Sequence, residues 1–189
     1  MRNLLPVPLA IWGQSNNEVW LEQRKDRLSA SILHEVSNKM EEIVKHKIKK
    51  TTNLVAKVFG KSQSIDHVPA IKYGRANENT ARTLFFALES QKHRNLKVEQ
   101  CDLFVKSDRP YIAGNPDGIV SCNCCPTAVL EIKYPFTLLD KSVKDGWKHL
   151  DYLNMNDKQI LELNQKHPYY IQLQGQMAVT GLTIGHCFV

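Results

Sequence analysis

Two short stretches of the sequence, GNPDGIV at residues 114–120 and LEIKYP at residues 130–135, decide the fold. A proline and a glycine flank Asp117, so this carboxylate is held at a bend where a strand begins. The second stretch is a short β-rich run stopped by a proline. If the two runs pair as a hairpin through residues 121–128, Asp117 and Glu131 converge.

Within the second run, Glu131 and Lys133 flank Ile132. Residues two apart on a strand share a face, so both charged side chains point one way while Ile132 points into the core. Two carboxylates and a lysine are what a hard divalent metal ion and its activated water require. The pattern is short, however, and a surface hairpin carrying ordinary charges remains the alternative.

The segments around these strands alternate between helical and extended patterns. Apolar residues at three- and four-residue steps predict helices over the following ranges: one or two within 18–50, one beginning after Gly74 and running to Gln91, a mostly helical stretch at 138–166, and one at 167–181. Further strands are predicted at 96–106 and at 183–189. We therefore expect an α/β fold with a central mixed β-sheet flanked by helices.

The composition fits a single domain that acts on a polyanion. The chain has 189 residues, of which 42% are hydrophobic and 23% charged, so it can bury a core. Residues 1–17 are interpreted as an irregular leader and residues 18–189 as one domain. Lys and Arg number 25 against 19 for Asp and Glu, and the resulting net charge of +6 suits a polyanion partner, although many proteins with neutral substrates are equally basic.

No signal peptide and no membrane-spanning run is recognised, since no apolar run approaches about 18 residues. Five cysteines make a poor disulfide framework and indicate a reducing compartment. We expect an intracellular protein, in either the nucleus or the cytoplasm.

Three of those cysteines, Cys122, Cys124 and Cys125, crowd into the expected hairpin tip. They could form an incomplete zinc site, because thiolates are good zinc ligands but structural zinc needs four ligands. A further ligand would have to be recruited from elsewhere, with Cys101, His149 and Cys187 as the candidates. The alternative is a hairpin tip with reduced thiols.

Four separated segments, in order, resemble the phage lambda exonuclease-like (YqaJ) recombinase family of the PD-(D/E)XK nuclease superfamily. They are GRANENTARTLF at 74–85, GNPDG at 114–118, LEIKYPF at 130–136 and YYIQLQGQMAVTG at 169–181. The resemblance implies a restriction-endonuclease-like core and a Mg²⁺- or Mn²⁺-dependent nuclease with two metal ions. It assigns metal ligation to Asp117, to Glu131 and to the backbone carbonyl of Ile132. Glu78 would reach a second ion or a metal-bound water.

The same resemblance gives Lys133 the role of positioning the nucleophilic water. Gln172, in the tyrosine-containing helix motif, would help to hold that water or Lys133. Gln176, one turn later on the same face, is a further candidate, and Gln174 should point elsewhere.

Residues 20–31 resemble the family's stretch in which an arginine and a serine bind a terminal 5′-phosphate, which here are Arg24 and Ser31. Asn115 stands where some relatives have a serine, and it can donate to the same phosphate. The alternative is an exposed helix arginine, with Ser29 and Ser31 as caps of the following helix.

By this resemblance the chain is a 5′-to-3′ exonuclease that acts on duplex DNA ends in recombination or repair of viral, mobile-element or host DNA. A single-strand annealing protein and a ring-shaped homotrimer are the partners it suggests. Three alternatives stay open at this point: a structure-selective endonuclease or nickase, a catalytically idle DNA-binding module of a larger protein, and a zinc-stabilised interaction domain.

Overall fold

A computed structural model describes residues 18–46, 50–59 and 67–189, so the predicted leader at 1–17 lies outside the described residues. The described helices are α1 Glu18–Arg24, α2 Leu33–His46, α3 Thr52–Val58, α4 Pro69–Ser90, α5 Val143–Gly146 and α6 Pro168–Thr180. The described strands are β1 Leu28–Ser29, β2 Lys97–Glu99, β3 Phe104–Lys106, β4 Arg109–Gly114, β5 Gly118–Ser121, β6 Ala128–Ile132, β7 Leu153–Met155, β8 Leu161–Leu163 and β9 Gly185–Phe188.

The central sheet has the strand order β2-β5-β6-β9. β5 and β6 form the predicted antiparallel hairpin, with Gly118 opposite Leu130. β9 runs parallel to β6, with Cys187 beside Glu131, so the sheet is mixed as predicted. Every residue of β6 is buried, which explains its nearly continuous apolar sequence.

Helix α4 covers one face of the central sheet. Its buried residues Ala81 and Phe85 pack against Val120, Leu130 and other apolar side chains of β5 and β6. The helix begins at Pro69 and not after Gly74 as predicted. Proline is favoured at the first helical position because its fixed φ suits the helix and it has no N–H to leave unpaired.

A second sheet has the order β1-β4-β3, and helix α6 packs against it and against the N-terminal segment. The approach is close at Gly175, where an added Cβ would lie 2.5 Å from Leu33 Cδ1 and 3.1 Å from Ala30 Cβ. Any side chain at this position would force Leu33 and Ala30 to shift. Helix α6 ends as predicted at Gly181, whose φ of 70° provides the left-handed cap.

Two further secondary-structure predictions were wrong. Residues 138–166 hold short helical turns and the β7–β8 hairpin, because Leu153 and its neighbours bury apolar side chains against Leu138, Leu150 and Tyr152. The single strand predicted at 96–106 is two strands, β2 and β3, which belong to different sheets. Among the described residues, no helix has the length and apolar character needed to cross a membrane.

Candidate active site

The β5–β6 hairpin brings the two predicted carboxylates together. Asp117 immediately precedes β5, and Gly118 pairs with Leu130, so Asp117 lies beside Glu131 and Ile132 at one end of the hairpin. The backbone N–H of Ile132 donates to Asp117 Oδ2 at 2.7 Å. These residues line an open cleft of about 500 Å³, together with residues of α4 and the start of α6.

Glu131 is buried, with 3% of its surface exposed, and three donors surround it. Lys133 Nζ and Gln172 Nε2 each donate to Glu131 Oε1 at 2.6 Å. Gln176 Nε2 donates to Glu131 Oε2 at 2.6 Å. Gln172 and Gln176 reach one carboxylate because they lie four residues apart on the same face of α6. Gln174, on another face, is exposed.

Lys133 lies between that carboxylate and an aromatic ring. Its Nζ is 3.4 Å from Gln172 Oε1 and 4.0 Å from the centroid of Tyr169. Burial is the largest influence and lowers the pKa of Lys133. The charge of Glu131, its hydrogen bond to Lys133, and the nearby Tyr169 and Asp117 together outweigh burial, so the pKa is raised. Sequence reasoning missed Tyr169, although its position three residues before Gln172 on a helix was a usable signal.

Arg82 connects α4 to the hairpin and was also missed. Its Nε donates to the backbone carbonyl of Asp117 at 3.0 Å, and its guanidinium also donates to Glu78 Oε1. This holds the Glu78 carboxylate on the side of α4 that lines the cleft. The spacing of four residues between Glu78 and Arg82 was the signal in the sequence.

The three acidic side chains suit a divalent cation. Burial raises the pKa of Asp117 well above its usual range, and the charges of Glu131 and Glu78 raise it further. Crowded carboxylate oxygens of this kind are the ligands that Mg²⁺ and Mn²⁺ prefer, and a bound cation removes their repulsion.

The structure also brings together Arg24, Ser29 and Ser31, which we name the Arg24 cluster. Arg24 NH2 lies 3.1 Å from Ser29 Oγ and 2.9 Å from Ser31 Oγ, and the two hydroxyls are 3.0 Å apart. The capping alternative was wrong for Ser29, whose side chain makes no cap hydrogen bond. Ser29 is a member that sequence reasoning did not assign.

The Arg24 cluster lies within electrostatic reach of a residue that lines the cleft. Burial lowers the pKa of Arg24, and the charge of Arg75 lowers it further, so the two guanidinium groups are close enough to interact. Arg75 lines the same cleft as Glu78 and Asp117. The Arg75 guanidinium therefore lies in the cleft with the carboxylates and within electrostatic reach of Arg24.

Asn115 connects to Gln176. Its backbone carbonyl accepts a hydrogen bond from Gln176 Nε2 at 3.2 Å. Its Oδ1 is buried and has no hydrogen-bond partner among the described residues. Since β1 and β4 are parallel, with Ser29 beside Ala113, Asn115 leaves β4 at the same end at which the chain reaches Ser31.

At the opposite end of the hairpin, His93 lies among Cys122, Cys124 and Cys125. The prediction that a further ligand would come from Cys101, His149 or Cys187 was wrong. Cys101 Sγ contacts the Pro116 carbonyl, His149 lines the cleft that holds the carboxylates, and Cys187 lies on β9 beside Glu131. His93 was not identified as a candidate ligand because it lies far from the three cysteines in the sequence. Only the packing of α4 on the sheet brings it to the hairpin tip.

The YqaJ-like viral recombinase domain matches residues 19–183. This chain belongs to that family. The match spans both the Arg24 cluster and the cleft that holds the three carboxylates. No curated protein matches the sequence significantly.

Solved structures share the fold of this YqaJ-like domain. An alkaline exonuclease (LHK-Exo) from Laribacter hongkongensis superposes with a TM-score of 0.57 and 20% sequence identity, over 90% of this chain and 74% of that chain. LHK-Exo in complex with dAMP gives a TM-score of 0.56 and 22% identity, over 88% of this chain and 70% of that chain. The predicted α/β fold of the PD-(D/E)XK type is therefore confirmed. Family and fold together support a nuclease that acts on DNA.

Proposed function

We propose that this YqaJ-like domain is a metal-dependent exonuclease that hydrolyses phosphodiester bonds from the 5′ ends of duplex DNA. The observation that carries the proposal is the convergence of Asp117, Glu131, Lys133 and Glu78 in one cleft beside the Arg24 cluster. Either group alone occurs in many proteins. Together they would provide a place for a reacting phosphodiester and a place for a terminal phosphate.

Asp117, Glu131 and Glu78 would hold the divalent ions, Mg²⁺ or Mn²⁺, together with the carbonyl of Ile132. We propose two ions. When bound, they would supply Lewis acidity and lower the pKa of a coordinated water. The carboxylates are already oriented for this task, because Asp117 accepts from Ile132 and Glu131 accepts from α6.

Lys133 would orient the nucleophilic water and offset the negative charge that develops on the phosphate. Glu131 and Gln172 hold its ammonium group just beyond the C-terminal end of β6. The ring of Tyr169 packs against the same group and limits its motion. Gln172 would therefore act by positioning Lys133 and Glu131. Gln176 would support the same carboxylate from its buried side.

The Arg24 cluster would bind the terminal 5′-phosphate and so set the direction of digestion. A guanidinium group and two hydroxyls can donate together to phosphate oxygens. Asn115 would approach from the end of β4. The net charge of +6 supports binding of the DNA backbone.

The proposal includes a cellular setting that rests on the family resemblance. The enzyme would act inside the cell, in the nucleus or the cytoplasm, on recombining or damaged viral, mobile-element or host DNA. A homotrimer that encloses duplex DNA and a single-strand annealing partner are the assemblies to look for.

The test is digestion of a linear duplex that carries a 5′-phosphate at one end only. We expect loss of the phosphorylated strand with Mg²⁺ or Mn²⁺, no digestion with EDTA, and none of a closed circular duplex. Cleavage of circles would show an endonuclease instead. DNA binding without cleavage, in the presence of either metal, would show a binding module.

A further inference from the structure

The tip of the β5–β6 hairpin brings three thiols against one imidazole nitrogen. His93 Nδ1 lies 3.5 Å from the Sγ atoms of Cys124 and Cys125 and 3.7 Å from that of Cys122. Cys124 Sγ lies 3.5 Å from Cys122 Sγ and 3.9 Å from Cys125 Sγ. We name these four residues the Cys3His cluster. Its sulfurs are too far apart for disulfides, in which the S–S bond is about 2.05 Å.

We propose that the Cys3His cluster is a structural zinc site. Tetrahedral zinc, with Zn–S of about 2.3 Å and Zn–N of about 2.0–2.1 Å, places two sulfurs about 3.8 Å apart and a sulfur and a nitrogen about 3.6 Å apart. Cys124 Sγ lies 3.5–3.9 Å from the other two sulfurs, and the three sulfur–nitrogen separations are 3.5–3.7 Å. Five of the six separations therefore match a zinc-sized tetrahedron, and the sixth, between Cys122 Sγ and Cys125 Sγ, is within 4.8 Å.

An independent observation concerns the other nitrogen of the imidazole. His93 Nε2 lies 3.4 Å from Glu89 Oε2, one helical turn earlier. Metal-ligating histidines usually donate their second ring N–H to a carboxylate or carbonyl, which fixes the tautomer. Here that contact leaves Nδ1 with its lone pair directed at the thiols. Lys92 Nζ holds the same Glu89 carboxylate at 2.7 Å.

The backbone around the cluster is also tied together. Cys122 and Cys125 have the C-x2-C spacing common in zinc sites, and the intervening Asn123 donates its N–H to the Arg94 carbonyl at 2.9 Å. This bond holds the hairpin tip against the segment that carries His93. Zinc binding would release the three thiol protons and leave a site with a single negative charge.

The site would be structural because four protein ligands leave zinc no open position for water or substrate. It is also distinct from the catalytic metal site, since thiolates select zinc while carboxylate oxygens select Mg²⁺ or Mn²⁺. Its position in the fold indicates which elements it would stabilise. His93 follows α4, which carries Glu78, and Cys122 follows β5, which begins beside Asp117. Zinc would therefore link the C-terminal ends of α4 and β5. The cleft lies towards the other ends of these two elements.

The first measurement is the metal content of the full chain, purified under reducing conditions without chelator. We expect one zinc per chain, by mass spectrometry of the metal. Replacement by Co²⁺ should give the visible bands of a tetrahedral site and a thiolate charge-transfer band. A protein without zinc whose thiols are free, or whose cysteines are oxidised to disulfides, would overturn the proposal.

Variants locate the site. His93→Ala and Cys124→Ser should lose zinc and lower the Tm, whereas the matched controls His46→Ala and Cys101→Ser should keep one zinc per chain. If the cluster variants do not fold, dialysis of the wild-type chain against a zinc-selective chelator replaces them, and we expect a lower Tm that added zinc restores. Unchanged zinc content in His93→Ala, or a Tm insensitive to zinc removal, would contradict the assignment. None of these readouts depends on nuclease activity.

Discussion

Gln176, the most deeply buried glutamine of α6, donates its side-chain amide to Glu131 Oε2 at 2.6 Å. The same amide donates to the Asn115 carbonyl at 3.2 Å, so one side chain links α6, β6 and the chain just before Asp117. A carboxylate with 3% exposure needs such donors, because a buried charge without hydrogen bonds is costly. Gln176 is thus a structural condition for keeping Glu131 in place.

Gln176→Leu should therefore destabilise the fold. The change leaves a buried carboxylate oxygen and the Asn115 carbonyl without a donor, at a cost of about 1–3 kcal/mol in the free energy of unfolding. Urea denaturation measures this change in the free energy of unfolding. The control Gln174→Leu alters an exposed position of the same helix and should change stability by less than about 0.5 kcal/mol. Equal effects of the two substitutions would show that the contact with Glu131 contributes nothing.

Lys133→Ala should abolish cleavage while leaving DNA binding largely intact. The loss removes an electrostatic contributor to the transition state, which costs about 100-fold or more in rate. Binding depends on contacts spread over many phosphates, so it survives. Single-turnover cleavage and a mobility-shift titration separate the two effects. Lys158→Ala, at the exposed β7–β8 turn, is the matched control. Cleavage by the Lys133 variant at the wild-type rate would remove it from the proposed site.

Arg24→Gln should selectively impair digestion from phosphorylated ends. Hydrogen bonds to a charged group contribute about 1.5–3 kcal/mol, so the rate advantage of a 5′-phosphate should fall roughly 10- to 100-fold. The measurement is the ratio of initial rates on duplexes with and without the phosphate. Arg109→Gln, an exposed arginine on β4, should leave this ratio unchanged. A ratio that Arg24→Gln does not alter would place terminal-phosphate binding elsewhere.

The hairpin and its carboxylates could be predicted because the deciding information is local. Each signal lies within a few residues: the bend at Asp117, the alternation around Ile132 and the proline that ends the run. Together they predict β5 and β6. Helix α6 was predicted for the same reason, since its proline start and Gly181 end are both local signals. The prediction of a mostly helical stretch at 138–166 failed. In this region, burial against Leu138 and Tyr152 favours strands, and the sequence alone does not show that burial.

The partners within the site were harder to predict than its principal residues. Arg82 and Tyr169 contact segments far along the chain, at the Asp117 carbonyl and at Lys133, whereas Ser29 lies only five residues from Arg24. His93, like Arg82 and Tyr169, is far from its partners in the sequence, since it lies 29 residues before Cys122. The local sequence pattern identifies the principal site residues, but the tertiary fold determines which other side chains contact them.

Arg82→Lys tests whether the link between α4 and the hairpin matters for catalysis. Lysine keeps the charge, but its single nitrogen cannot reproduce the planar fork that serves both Glu78 and the Asp117 carbonyl. Loss of a residue that orients metal ligands typically costs about 10- to 100-fold in metal affinity or activity. We expect the Mg²⁺ concentration for half-maximal cleavage to rise within that range.

A Mg²⁺ titration of single-turnover cleavage gives the readout, and circular dichroism confirms that the variant is folded. Arg109→Lys, the same exchange at an exposed arginine, is the control and should match the wild-type titration. If Arg82→Lys lowers only the stability and leaves the Mg²⁺ dependence unchanged, Arg82 supports the fold without orienting the ligands. A shifted Mg²⁺ dependence in a folded protein would instead show that Glu78 and Asp117 are held for the metal by this one guanidinium group.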